Sequence, residues 1–109
     1  MKTQSDYFHD ILECIARIRA YTSVGKEAFM TNTMIQDAVI RNFEIIGEAV
    51  KKISRSFRKQ HPEIDWRAIA GFRDILIHNY GSVDVREVWM TVERDLPKLL
   101  QHIEGFVRE

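Results

Sequence analysis

Apolar residues recur along this chain at intervals of three and four, in four separate stretches, and nowhere do they alternate as a strand would. That spacing gathers them on one face of a helix turning ~100° per residue. The first stripe runs through Phe8, Ile11, Leu12, Ile15, Ile18 and Thr22. The second uses Ile35, Ala38, Asn42, Ile45, Ile46, Ala49 and Ile53. The third uses Ile69, Phe72, Ile75 and Leu76, and the fourth Val85, Val88, Trp89, Val92, Leu96, Leu99, Leu100, Ile103 and Phe106. Four one-sided helices must cover one another, so the class is all-α. Only five Gly and two Pro in 109 residues agree with long regular elements.

The stripes stop at residues that end or start helices. Thr22 to Asn32 holds Ser23, Gly25 and Asn32, with Lys26 to Phe29 a short helical turn, and Asn32 or Thr33 caps the second helix. His61-Pro62 ends whatever continues after Ser54, because a residue before proline is pushed out of the α region. Asp65 is an N-cap for the third helix, Gly81 and Ser82 close it, and Asp84 sits near the start of the fourth. Pro97 lies inside the fourth stripe and predicts a bend or local break. Connections this short favour antiparallel neighbours, hence an up-and-down bundle. The whole chain, 1–109, reads as one domain.

Several functions are excluded at this level. No apolar run approaches the ~20 residues of a membrane span. The start, MKTQSDYFHD, lacks a signal-peptide layout, and the lone Cys14 allows no intrachain disulfide, so a reducing cytoplasm is the expected home. With no Gly-rich phosphate loop, no nucleotide cofactor is expected. His9, His61, His78 and His102 have no ligand-type spacing, so no metal site is expected either. The formal net charge is zero, so any nucleic-acid contact must be local. Lys51, Lys52, Arg55, Arg58 and Lys59 carry five cations with no intervening acid. They read either as a solvated helix end or as a patch that steers RNA phosphates.

The segment with the most chemistry is Arg73-Asp74-Ile75-Leu76-Ile77-His78-Asn79-Tyr80. Arg is a permanent planar donor for phosphate oxygens, and His transfers protons near neutral pH. RNA carries its own nucleophile in the 2′-hydroxyl, so its cleavage needs a proton acceptor, a proton donor and charge stabilisation. Each residue also has a plainer reading. Arg73 can lie along the core and pair with an acid, His78 can suit a helix end, and Tyr80 can be a core edge. On a straight helix Arg73, Ile77 and Tyr80 share a face, Asp74 and His78 share an adjacent one, and Arg73 and His78 diverge by ~140°. Two of these side chains reach one phosphate only if the helix end deforms or a second chain contributes. Asp74 is placed to orient His78 or favour its protonated form.

Arg-x-x-x-x-His with a polar residue after the Arg resembles the signature of HEPN domains, and the extension to Tyr80 resembles that of HepT-type toxins. The segment Asp37 to Ala49 is similar to the second helix of that family. His61-Pro62-Glu63-Ile64-Asp65-Trp66 and Gly81-Ser82-Val83-Asp84 match its flanks. The resemblance implies a four-helix-type bundle that dimerises and places two Arg/His pairs in one cleft. It implies a metal-independent endoribonuclease, the toxin of a toxin–antitoxin pair whose antitoxin is a minimal (MNT-type) nucleotidyltransferase. In it Arg73 and His78 are catalytic, and Tyr80 accepts AMP from that antitoxin. A bulky anion on Tyr80 would compete for Arg73. The rival reading is a silent helical subunit that presents a surface to the nucleotidyltransferase.

Three further features stay open. Asn42 interrupts the second stripe, with Arg41, Glu44 and Glu48 at neighbouring helical spacings. They form either a buried hydrogen-bonded network or a group beside the active cleft. Met30, Met34, Trp89 and Met90 read as core or dimer surface, and Cys14 as a core-edge thiol.

Overall fold

The computed structural model describes residues 1–108, with Tyr80 described by its backbone alone. Seven α-helices follow in order among them: α1 Gln4–Thr22, α2 Lys26–Thr31, α3 Thr33–Lys52, α4 Arg55–Gln60, α5 Trp66–His78, α6 Val85–Met90 and α7 Leu96–Arg108. A 3-10 turn, Tyr80–Ser82, follows α5, and a π turn, Thr91–Asp95, joins α6 to α7. No strand occurs among the described residues.

Side chains in the sequence set most of the starts. Thr3 and Asp6 form a reciprocal capping box at α1, the Asp6 amide donating to Thr3 Oγ1 at 3.2 Å and the Thr3 amide to Asp6 Oδ2 at 2.8 Å. Asn32 caps α3, Ser54 caps α4, Asp65 caps α5 and Asp84 caps α6, each accepting a backbone N–H of the first turn. The turn from α1 to α2 passes through Gly25 at φ 97°, a left-handed conformation that glycine adopts without penalty.

The long helices run alternately up and down. The Ser54 amide donates to Gln4 Oε1 at 3.1 Å, which joins the end of α3 to the start of α1. Phe8 of α1 meets Phe106 of α7 with ring centroids 5.5 Å apart, so these helices are antiparallel too. At this end of the bundle Phe57 and Trp66 complete an aromatic cluster, and at the other end Phe29 packs on Trp89. The core between them is made of Ile11, Ile15, Ile18, Val39, Ile46, Val50, Leu76, Val88 and Ile103, all essentially inaccessible.

Helix α1 packs on α3, α3 on α5, and α1 on α7. The fourth side of the square is open. Helices α5 and α7 barely touch, and a cleft of about 510 Å³ lies between them. Its floor is Phe43 and Ile46, and its walls include Ile69, Phe72, Leu96 and Leu99.

Two local expectations are corrected. Ile75, placed in the third stripe, is 54 % exposed, while its neighbour Leu76 is fully buried, because α5 has a bundle partner on one side only. Helix α5 ends at His78, before Gly81 and Ser82, and the chain leaves it at Asn79 (φ −112°, ψ 38°). At Pro97 the expected local break of the α-helical pattern is present, as a π turn. The Leu96 amide donates to the Thr91 carbonyl, one residue further back than in an α-helix, and the π turn Thr91–Asp95 lies just upstream of the proline ring.

Candidate active site

Arg73 is seated by a close approach of two helices. Its side chain lies over Gly47 of α3, where a Cβ would stand 2.2 Å from the Arg73 Cβ and 2.8 Å from its Cγ. Only a residue without a side chain lets α5 come this near α3. The edge-to-face pair Phe43–Phe72, with centroids 5.4 Å apart, fastens the same contact from the apolar side. The arginine stem is thus held between helices, and only 21 % of the side chain is exposed.

The guanidinium is then clamped by two carboxylates. Nη2 donates to Glu48 Oε2 of α3 at 3.0 Å, and Nη1 to Asp74 Oδ1 at 3.1 Å. Lys51 Nζ donates to the same Asp74 oxygen at 2.9 Å. Arg73 Nε is buried with no hydrogen-bond partner. Lys51 foremost, with Arg73, holds the Asp74 carboxyl below the usual carboxylate range. Asp74 foremost, with Glu48, pushes the Arg73 guanidinium above its own ordinary range. The plain reading of Arg73 as a core-lying arginine paired with acids describes this geometry, and it also leaves a fixed cation at the surface.

The structure does not bring every expected residue together. Asp74 spends its recorded hydrogen bonds on Arg73 and Lys51, and among the described residues none joins it to His78. His78 is exposed at the last turn of α5. That turn is regular, since the Asn79 amide donates to the Ile75 carbonyl at 3.0 Å. Of the two routes that could converge Arg73 and His78, deformation before the helix end is therefore not used. Tyr80 has left the helix that would align it with Arg73, and its side chain lies outside the described residues.

The basic segment divides. Lys51 belongs to the clamp on Asp74, Arg58 is half-buried with an unpartnered Nε, and Lys52, Arg55 and Lys59 are exposed. The group around Asn42 divides as well. Asn42 is buried, donates to the Ala38 carbonyl at 2.8 Å, and keeps its Oδ1 unpartnered. Arg41 pairs loosely with Glu44 at 3.8 Å, and Glu48 alone reaches Arg73. Met34 and Met90 are exposed, whereas Trp89 is buried. Burial pushes the Cys14 thiol up, as suits an inert core thiol. Among the described residues, no three His, Cys, Asp or Glu side chains are grouped as a metal ion requires, and no helix is long and apolar enough to cross a membrane.

Sequence reasoning gave Gly47 no role of its own and grouped Glu48 with Asn42 rather than with Arg73. The signal for Gly47 was a glycine inside an otherwise strong helical pattern, which points to close packing.

The chain resembles known proteins over most of its length. Residues 11–106 match the family described as Ribonuclease HepT-like. The chain is 48 % identical over 99 residues to "Probable ribonuclease HepT" of Thermococcus cleftensis, covering 90 % of each protein. It is 36 % identical over 110 residues to a "Putative RNase" of Caldanaerobacter subterraneus subsp. tengcongensis, covering 100 % of this chain and 98 % of that one. No solved structure gives a significant match. An all-helical bundle with Arg73 and His78 on one helix, matched over nearly its whole length, places the chain in the HepT-like ribonuclease family, with a fold of HEPN type.

Proposed function

We propose that this chain is a metal-independent endoribonuclease, the toxin half of a HEPN/MNT toxin–antitoxin pair. The observation that carries the reading is a fixed guanidinium on Arg73, five residues before an exposed imidazole on the same regular helix. The names of the family and its relatives support it. In the reaction the RNA 2′-oxygen forms a bond to phosphorus and the bond from phosphorus to the 5′-oxygen breaks. Arg73 holds the phosphate and stabilises its developing charge. His78 transfers the proton that moves from the 2′-hydroxyl toward the leaving oxygen.

The active unit is a homodimer formed on the surfaces of α5 and the α6–α7 rod. Within one chain Arg73 and His78 diverge by ~140°, so each needs a counterpart from a second copy. Exposed Ile75 and Ile77 on α5 and Met90 on α6 supply apolar surface for this pairing. The partner in the cell is an MNT-type nucleotidyltransferase that places AMP on Tyr80, and both act in the cytoplasm. Exposed Lys52, Arg55 and Lys59 extend the phosphate path beyond Lys51.

The test is incubation of the purified chain, expressed alone, with total RNA and tRNA in excess EDTA beside a His78→Ala variant. Cleavage by the parent only, leaving 2′,3′-cyclic phosphate ends, is the expected result. With intact mass showing no AMP adduct, silence from both proteins would replace this reading with that of a binding subunit.

A further inference from the structure

Arg73 offers two hydrogen-bonding edges, and they are occupied unequally. Asp74 takes Nη1, and it is the adjacent residue on the same helix, secured by Lys51 as well. The other edge is Nε with Nη2. Glu48 reaches only Nη2, and Nε is left buried and unpartnered. Glu48 comes from a different helix, and its side chain is 62 % exposed. An ion pair so open to water is weak. The four charges of Arg73, Lys51, Glu48 and Asp74 sum to zero, so an arriving phosphate meets a neutral group.

We propose that Glu48 is a gate: its carboxylate occupies the place of the substrate phosphate on the Nε–Nη2 edge of Arg73, and RNA binds by displacing it. A phosphate presents oxygens to both donors of that edge, which the single contact from Glu48 does not. Displacement therefore gives Nε the partner it lacks. It also turns a neutral cluster into one with a net positive charge toward the RNA. Asp74 stays in place throughout, because Lys51 and its position in α5 hold it. This inference rests on the reading of Arg73 as the phosphate-binding residue. Glu48 is a competitor for that residue and takes no part in proton transfer.

The test compares the parent with Glu48→Gln, and with Glu48→Ala as a second neutral variant, using a short 2′-O-methyl RNA oligonucleotide that binds without being cut. Removing the carboxylate charge is expected to tighten binding about two- to fivefold. The slope of log Kd against log salt should steepen slightly, because Arg73 meets the same phosphate in all three proteins but only the parent frees a carboxylate that regains counterions as RNA binds. With cleavable RNA, KM falls by the same factor. Unchanged affinity and slope in both variants would overturn the gate. So would weaker binding, no binding by any of the three proteins, or a fall in kcat at unchanged affinity. Tighter binding without any cleavage by the parent would leave the gate standing and refute the ribonuclease reading instead.

Discussion

Gly47 and Arg73 are in such close register that a single methyl group on the glycine would stand 2.2 Å from the Arg73 Cβ. The obstacle is the root of the side chain, which cannot swing aside, so α5 itself must move. Alanine in a helix is favoured over glycine by up to ~1 kcal/mol. Overpacking costs roughly 1–3 kcal/mol, and here it wins. Gly47→Ala is expected to lower the urea midpoint and to weaken RNA cleavage through the shifted Arg73. A variant as stable as the parent would mean that the helices separate freely.

Ile75 tests the dimer. It is 54 % exposed on α5, so an acid there is harmless to the monomer and costly in an apolar interface. Ile75→Asp is expected to weaken self-association by about tenfold or more, with an unchanged far-ultraviolet circular dichroism spectrum. Sedimentation or light scattering reads the result. A parent that is monomeric at micromolar concentration would refute the pairing.

Asp74 predicts a pH dependence. Lys51, and after it Arg73, lowers its folded pKa, so its contribution to stability is present above the ordinary carboxylate range and disappears as pH falls through the depressed value. Half-exposure keeps that contribution small. Asp74→Asn should have a lower Tm than the parent at pH 7, and the two melting curves should converge in acid. A gap that persists or widens at low pH would assign the effect to something other than this carboxylate.

Tyr80 predicts a mass change. Exposed to the cognate nucleotidyltransferase and ATP, the parent should gain the mass of AMP and lose cleavage, while Tyr80→Phe should do neither. Adduct on the Tyr80→Phe variant would move the acceptor elsewhere.

Much of the molecule follows from local chemistry. The helices that carry the four stripes, the caps at Asn32, Asp65 and Asp84, and the stop before Pro62 depend on neighbours within one or two turns, and all are where the sequence puts them. The five-residue step from Arg73 to His78 and its ~140° divergence are likewise local, since α5 is regular across it.

The fate of each charge depends on a different helix. Asp74 faces Lys51, 23 residues away, and Arg73 faces Glu48, 25 residues away. Helical periodicity gives the face a residue occupies but not which face stands opposite, nor how near. Gly47 sets that distance, and with it brings Glu48 within reach of Arg73 and Lys51 within reach of Asp74. Ile75 makes the same point from the apolar side. Its spacing marks it for burial, yet exposure was decided by the side of the bundle that α5 and α7 leave open.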